Sequence, residues 1–308
     1  MIVDLPRTTT NAVTKALVTL REEGGAVALG RVLTLVIDAQ GGAVEPAIDA
    51  ANEASREHPC RVIVLAESEP APGEDGRLDA QVRVGGDAGA SEVVVLRASH
   101  AMLENADTLV MPLLLPDAPI VVWWPNEIPE SPEEHPIGRM AQRRITDSLS
   151  CADPVGSLRR LRAGHSAGDT DIAWTRLTVW RGLLAAALDQ PPHEAVTRAE
   201  VSGHERHPSV YLLGAWLAHA LECPVEIVRQ QDVRGITRVV LERPSGPVVI
   251  DRPDGREGVL NQPGQPERRI AMPIRELTEC LAEELRRLDP DDVYSEVLEL
   301  GLPRVGAA

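Results

Sequence analysis

The chain has 308 residues, of which 43% are hydrophobic and 25% charged, and its formal net charge at pH 7 is −16. This composition is typical of a globular protein with room for two domains. So acidic a surface disfavours nucleic acid and anionic lipid as partners, and no uncharged apolar run reaches the roughly 18 residues that a membrane-spanning helix requires. The stretch MIVDLPRTTT lacks the apolar core of a signal peptide, so we expect a cytoplasmic protein.

The first 125 residues alternate between helical patterns and apolar runs that are typical of buried strands. Helices are predicted over residues 8–25, 44–58 and 99–116, and strands over 31–38, 60–68, 78–86, 91–98 and 118–125. The pattern over 78–86 alternates in polarity, which indicates an edge or antiparallel strand, whereas the others are largely apolar. This order predicts a Rossmann-like three-layer α/β domain with a mainly parallel sheet.

The second half of the chain has shorter strand patterns. GHSAGD (164–169) is the best candidate linker, so we predict an N-terminal domain over 1–165 and a C-terminal domain over 166–308. Helices are predicted over 169–190 and 208–223, and strands over 195–203, 225–230, 236–243, 246–253, 258–263 and 268–273. Two acidic helices, separated by Asp289 and Pro290, follow these strands. The pattern predicts an α+β domain with an antiparallel sheet.

No complete catalytic, cofactor or metal site emerges from the motifs. A dinucleotide-binding loop requires G-x-G-x-x-G between a strand and a helix, and neither DAQGGAVEP nor GGDAGASE has that spacing. The histidine pair in HERH (204–207) has no nearby set of Cys, Asp or Glu, which favours solvated loop histidines over metal ligands. The four cysteines lie far apart and are expected as reduced thiols. We therefore predict no catalytic residue, no cofactor and no metal.

One predicted strand edge is a candidate ligand cleft. Ser99 and His100 directly follow the strand 91–98, and Trp124 lies at the end of the strand 118–125. Ligands bind outside the carboxyl ends of the strands in open α/β sheets, so these side chains are candidates to contact an anion together with Arg143 and Arg144. Such a cleft would make the chain an enzyme or sensor for a sugar phosphate or a nucleotide. A role as a helix N-cap accounts for Ser99 without any ligand.

The segment DTDIAWTRLTVWRGLLAAALDQ (169–190) holds two of the five tryptophans and two arginines. Apolar side chains recur every three to four residues along it, at Ala173, Leu177, Trp180, Leu184 and Ala187. This stripe places Trp180 in the core and leaves Trp174, Arg176 and Arg181 unexplained. These three residues either pack together, with arginine stems covering the tryptophan, or form a partly exposed interface for a protein partner.

The same segment resembles a known family. DIAWTRLTVWRGLL, together with HPCRVIVLA (58–66), PIVVWWP (119–125) and RRITDS (143–148), is similar to the motifs of the glucose-6-phosphate dehydrogenase assembly protein (OpcA) family, and the motifs occur in the same order. The resemblance spans roughly residues 25–300. It implies an N-terminal α/β domain followed by a distinct C-terminal domain.

The resemblance also implies a function. Such a protein is a non-catalytic cytoplasmic partner of glucose-6-phosphate dehydrogenase that promotes the enzyme's active oligomer or raises its activity, and so supports the oxidative pentose phosphate pathway and the NADPH supply. Trp174, Arg176 and Arg181 are then candidate contacts with the enzyme. Cyanobacterial members are associated with redox control of the enzyme. The dispersed cysteines of this chain offer no vicinal pair, so we do not expect a thiol switch here.

Overall fold

The computed structural model describes residues 1–24, 30–68, 76–85 and 92–306. The strands are β1 (Ile2–Leu5), β2 (Leu33–Asp38), β3 (Cys60–Glu67), β4 (Leu78–Arg83), β5 (Glu92–Ala98), β6 (Ile120–Trp124), β7 (Arg143–Thr146), β8 (Asp169–Asp171), β9 (Arg198–His204), β10 (Val225–Gln230), β11 (Ile236–Glu242), β12 (Val248–Asp251), β13 (Glu257–Asn261) and β14 (Arg268–Ala271). The α-helices are α1 (Thr10–Gly24), α2 (Val44–Ala54), α3 (His100–Leu103), α4 (Ala106–Val110), α5 (Pro154–Ala163), α6 (Ile172–Thr175), α7 (Thr178–Leu188), α8 (Pro208–Ala220), α9 (Leu277–Arg286) and α10 (Asp292–Glu296). A π-helical turn (Val297–Gly301) and a 3₁₀ turn (Leu302–Val305) continue from α10.

The chain forms two compact units, each of which is discontinuous in sequence. The first unit comprises Met1–Asp147, Gly168–Thr170 and Leu277–Pro290. The second unit comprises Ser148–Ala167, Asp171–Glu276 and Asp291–Ala308. The sequence had predicted two continuous domains, 1–165 and 166–308.

The first unit is built on an eight-stranded sheet with the order β1-β4-β5-β3-β2-β6-β7-β8. The pairs β5–β3, β3–β2, β2–β6 and β6–β7 are parallel, whereas β4 is antiparallel to both of its neighbours. Apolar side chains of α1 and α4 pack in one core cluster with strand residues, and α2 contacts β3 and α9. The predicted Rossmann-like α/β architecture with a mainly parallel sheet is confirmed.

Local differences from the predicted elements have physical causes. The sequence analysis missed β1, β7 and β8, because each has only three or four residues and so offers too short a pattern. The predicted helix 99–116 is divided into α3, α4 and a 3₁₀ turn (Met111–Leu113), with Asn105 at non-helical angles between the two helices. Most of the glycine-rich stretch GGDAGASE (85–92) lies outside the described residues.

The second unit contains a six-stranded sheet with the order β10-β9-β11-β12-β13-β14. Its pairs are antiparallel except for β9–β10, which is parallel. The expected α+β character is present, but the sheet is mixed because α8 links β9 to β10 as a crossover helix, and a crossover returns the chain in the same direction. Between Met1 and Gly306, leaving out the undescribed stretches, no helix is both long enough and apolar enough to cross a membrane.

The segment 169–190 is not the single helix that the apolar stripe predicted. It forms β8, then the short helix α6, and then α7 after a break at Arg176 and Leu177. Asp171 is the N-cap of α6, and its side chain accepts a hydrogen bond from the Ala173 amide at 2.8 Å.

Candidate functional site

The predicted cleft residues lie at the carboxyl ends of strands in the first unit. Ser99 is buried and occupies the N-cap position of α3, directly after β5. His100 is exposed, and its Nδ1 lies 3.6 Å from the Glu67 carboxylate at the end of β3. Trp124 is the last residue of β6 and is 1% exposed. Ser99 therefore has the position expected of a cap.

Arg143 and Arg144, the expected anion contacts, are buried in ion pairs with side chains of the same unit. The Arg143 Nη2 lies 2.6 Å from the Glu284 carboxylate, and the Arg144 Nε lies 2.5 Å from the Asp169 carboxylate. Arg143 also donates to the Asp289 carbonyl at 3.0 Å. Because both charges are already met by buried carboxylates, this geometry gives neither arginine a role as a contact to a ligand anion.

A small crevice does lie at the carboxyl edge of this sheet, between the ends of β2 and β6. These neighbouring strands mark the point where the strand order reverses, which is where open α/β sheets place their ligands. The crevice has a volume of about 180 Å³. It is lined by Asp38, Gln40, Trp124, Glu127, Ile128, Pro129 and His135.

Polar groups in the crevice have unusual environments. Burial raises the pKa of Asp38 to about 6, although a hydrogen bond from the Gln40 side chain at 2.9 Å offsets part of that rise. The Trp124 indole N–H, which lies beside the Asp38 carboxylate, also lowers the pKa of Asp38. His135 meets the Trp124 ring edge-on at 5.5 Å, and burial lowers its pKa. Two carboxylates and no arginine line this space, so it favours a neutral polar ligand over a phosphate.

In the second unit, Trp174 is 1% exposed, so the alternative of a partly exposed tryptophan is not observed. The indole Nε1 donates to the Asp291 carboxylate at 2.8 Å, and the ring lies 5.7 Å from that of Tyr294. The guanidinium carbon of Arg181 lies 3.7 Å from the centre of the Trp174 ring, which is a cation–π contact. Trp180 is 2% exposed, which confirms that the apolar stripe is core. Trp174 and Arg181 thus pack together, as the packing alternative predicted.

Arg176 lines a well-formed cavity of the second unit. This space, which we call the arginine cavity, has a volume of about 460 Å³. Its lining consists of Leu149, Arg176, Leu177, Trp180, His204, His207, Ser209, Val233, Arg234, Gly235, Ile236, Arg252, Ile274, Arg275 and Glu276. Four arginines against one carboxylate give the lining an excess of positive charge in a chain whose net charge is −16.

The backbone holds the arginines of this cavity in place. Arg252 donates to the carbonyls of Ile236 at 2.9 Å and Met272 at 3.3 Å, and its guanidinium lies 5.0 Å from the centre of the Trp180 ring. Arg176 donates to the Arg275 carbonyl, and Arg275 in turn donates to the Thr175 carbonyl at 2.8 Å. The carbonyl acceptors restrain the Arg176 and Arg252 side chains without supplying a formal negative charge.

His207 is a neutral polar group in the cavity wall. It is the N-cap of α8, and its Nδ1 accepts from the Ser209 amide at 3.3 Å. Burial, together with the charges of Arg176, His204 and Arg252, lowers its pKa to about 3. Since Nδ1 accepts, the ring proton of the neutral form resides on Nε2, which is therefore a donor. The prediction of a solvated loop histidine is wrong for His207.

Sequence reasoning identified Arg176 but missed the other residues of the cavity. Arg234, Arg252 and Arg275 come from separate strands and loops, and no spacing in the sequence connects them. The only signal was the HERH pair, which we had placed in a solvated loop. Throughout the part of the chain that the structure describes, no group of three or more His, Cys, Asp or Glu side chains could hold a metal ion.

Comparisons with known proteins concern both halves of the chain. The family model described as the glucose-6-phosphate dehydrogenase subunit N-terminal domain matches residues 51–163, and that for the C-terminal domain of the same subunit matches residues 167–298. The protein named OxPP cycle protein OpcA from Nostoc punctiforme is 30% identical over 208 residues, which cover 61% of this chain and 44% of that protein. Its namesake from Synechococcus elongatus is 36% identical over 105 residues, 32% of this chain and 23% of that protein. The aligned chain thus spans less than half the length of these relatives.

Solved structures resemble the chain only weakly. Biliverdin reductase from Synechocystis sp. PCC 6803 has 12% identity and a TM-score of 0.39, covering 90% of this chain and 99% of that one. An oxidoreductase from Sinorhizobium meliloti has 10% identity and a TM-score of 0.45, covering 81% of this chain and 86% of that one. Similarities at this level say nothing about what the chain binds. With both domain models matched in order, this chain belongs to the glucose-6-phosphate dehydrogenase assembly protein (OpcA) family.

Proposed function

We propose that this protein is a non-catalytic accessory factor of glucose-6-phosphate dehydrogenase, which binds the enzyme, promotes its active oligomer or raises its activity, and so acts in the oxidative pentose phosphate pathway. The observation that carries the proposal is the ordered match of two family models, both described as domains of a glucose-6-phosphate dehydrogenase subunit. The names of the cyanobacterial relatives, which refer to the OxPP cycle, also support it.

The mechanism is one of linked equilibria. An accessory protein shifts its enzyme towards the active form only by binding that form more tightly than the inactive one. A tenfold difference in affinity corresponds to about 1.4 kcal/mol, which is an ordinary magnitude for coupling between proteins. No chemical step by this chain is needed, and we assign it none.

Within this proposal, Arg181 is the candidate contact and Trp174 holds it in position. Trp174 is buried, so it cannot offer its own face to a partner, whereas Arg181 is only half-buried above the indole ring. Stacking on the ring reduces the freedom of the arginine side chain before a partner arrives. A restrained arginine loses less entropy on binding, which is typical of interface hot spots.

The experiment mixes the purified chain with its cognate glucose-6-phosphate dehydrogenase, and follows comigration by size-exclusion chromatography together with kcat and KM of the enzyme. We expect a complex and a change in at least one kinetic constant. Arg181→Gln should weaken both effects, while Arg238→Gln, an exposed arginine on β11 paired with Asp251, serves as the charge-matched control. Neither comigration nor any kinetic change with the wild-type chain would contradict the accessory role.

A second candidate function is the binding of a small molecule at the sheet-edge crevice. It is favoured by the position of the crevice at the point where the strand order reverses, between the ends of β2 and β6, and by the Asp38 carboxylate in its lining. Because two carboxylates and no arginine line the crevice, thermal unfolding with three neutral polar compounds, glucose, ribose and myo-inositol, each at millimolar concentration, tests this role. Stabilisation that Trp124→Phe abolishes would support it, and an unchanged melting temperature with all three compounds would contradict it.

A further inference from the structure

Two arginines of the arginine cavity, Arg176 and Arg252, are not used for ion pairs within the described part of the fold. Arg176 and Arg252 both line the cavity, and neither is ion-paired with a carboxylate of the described residues. The Nε–H group of each of these two side chains is buried, and no described residue provides an acceptor for it. Arg252 is 6% exposed, and burial lowers its pKa, because removing the cation from water is unfavourable. An unneutralised buried guanidinium is costly unless a ligand completes it.

The contrast with Arg143 and Arg144 supports this interpretation. Those two buried arginines each have a carboxylate within 2.6 Å, which is the usual solution for a buried charge. In the arginine cavity the only lining carboxylate is Glu276, which is exposed. The missing anion is therefore expected from outside the chain.

The wall brings hydrogen-bond donors together. Gly235 adopts a positive φ of 63°, and a Cβ atom at this position would lie 3.5 Å from the His207 Nε2 and 3.8 Å from an Arg252 Nη2. Both donors therefore lie against the same short stretch of backbone. Arg234, which is exposed, extends the positive charge to the rim of the cavity.

The remaining wall and the size of the cavity indicate more than an inorganic ion. Leu149, Val233 and Ile274, which are half-buried, give the lining an apolar part beside the charged one. A volume of about 460 Å³ lies within the range of small-molecule sites, which are mostly apolar with a few placed polar groups. Guanidinium groups match the geometry and charge of phosphate oxygens, and several arginines together suit a doubly charged phosphate ester.

We propose that the arginine cavity binds a small organic phosphate ester, with Arg176, Arg252 and the His207 Nε2–H directed at the phosphate and the organic part against Val233 and Ile274. The site is independent of the proposed partner enzyme, since it lies within the second unit and requires only this chain. Sugar phosphates and nucleoside monophosphates share this chemistry, and the experiment distinguishes them.

The test is isothermal titration calorimetry of the purified full-length chain with four probes: glucose 6-phosphate, AMP, inorganic phosphate and glucose. We expect saturable binding of at least one of the two organic phosphates, at least tenfold tighter than inorganic phosphate, and no binding of neutral glucose. Whichever ester binds more tightly identifies the organic part. These comparisons use the wild-type chain, so they do not depend on how a variant folds.

Variants then locate the site. Arg176→Gln should weaken the ester about tenfold or more, because a charge-assisted contact is lost. The control is Arg238→Gln, which removes the same charge from an exposed position outside the cavity and should leave the affinity unchanged. The absence of saturable binding by either ester, equal affinity for inorganic phosphate, or equal weakening by both variants would overturn the proposal. A loss of enzyme activation with intact ester binding would concern only the accessory role.

Discussion

The Trp174 indole donates to the Asp291 carboxylate at 2.8 Å, and this bond joins α6 to the residue that caps α10, 117 positions later in the chain. The second oxygen of the same carboxylate accepts from the Tyr294 amide at 3.0 Å. One aspartate thus caps a helix and holds the buried tryptophan. Because both partners belong to the second unit, the bond contributes to the stability of that unit.

Replacing Trp174 by Phe should destabilise the second unit by about 1–3 kcal/mol, because the ring remains but one Asp291 oxygen loses its donor. The free energy of unfolding in urea measures the effect. Trp216→Phe is the matched control, since Trp216 is only half-buried on α8 and should cost less. Equal losses in the two variants would mean that ring packing, and not the hydrogen bond, determines the role of Trp174.

The sequence predicted the parts of this fold that depend on long, regular patterns. The apolar runs that become β2, β3, β5 and β6 are continuous because parallel strands are buried on both faces, so the central sheet could be recognised. The stripe through Trp180 likewise predicted the core side of α7. The break of this segment at Arg176 could not be predicted, because tertiary contacts and not propensity place it there.

The candidate sites were harder to predict than the sheet. Arg143 and Arg144 have the same sequence signature as ligand-binding arginines, and only the distant Glu284 and the later Asp169 show that their charges are neutralised within the fold. Conversely, no motif in the sequence identifies Arg252 as a site residue. It becomes part of a site only because folding brings it close to His207 and Gly235. Ion pairs between residues that are far apart in the sequence therefore determine which arginines can contact a ligand.

Asp38 should make the stability of the first unit depend on pH. Its folded-state pKa of about 6 lies above the ordinary value of 3.8, so the folded state resists ionisation. The penalty begins near pH 3.8, grows mainly between pH 4 and 6, and levels off at about 3 kcal/mol above pH 6. Asp38→Asn keeps an acceptor for Gln40 and removes the penalty, so this variant should be more stable than the wild type at pH 8 and no more stable at pH 4.

Chemical unfolding at pH 4, 6 and 8 measures this difference. Asp49→Asn, at an exposed position on α2, is the control and should show no comparable change across the three values. If Asp38→Asn shifts the unfolding free energy by the same amount at every pH, the cause is packing rather than titration.

His207 should make the second unit less stable at low pH, whereas Asp38 makes the first unit less stable at high pH. Its folded-state pKa of about 3 lies below the ordinary value of 6.5, so the unfolded chain binds this proton more readily. Stability is therefore complete above pH 6.5 and falls as the pH decreases towards 3, by about 3 kcal/mol at pH 4. His207→Asn retains an N-cap acceptor and should flatten this part of the profile. The exposed His193→Asn is the control, and a profile flattened equally by both variants would contradict the assignment to His207.

The buried pair of Arg143 and Glu284 should show strong coupling in a double-mutant cycle. Replacing either residue alone by Met leaves the other charge buried without a partner, which should cost about 3–5 kcal/mol of unfolding free energy. Replacing both removes the two charges together, so the double variant should be more stable than the sum of the single losses predicts. Urea unfolding of the four proteins gives the interaction energy directly. Additive losses would show that Arg143 acts through its bond to the Asp289 carbonyl, which the Met substitution also removes, and not through Glu284.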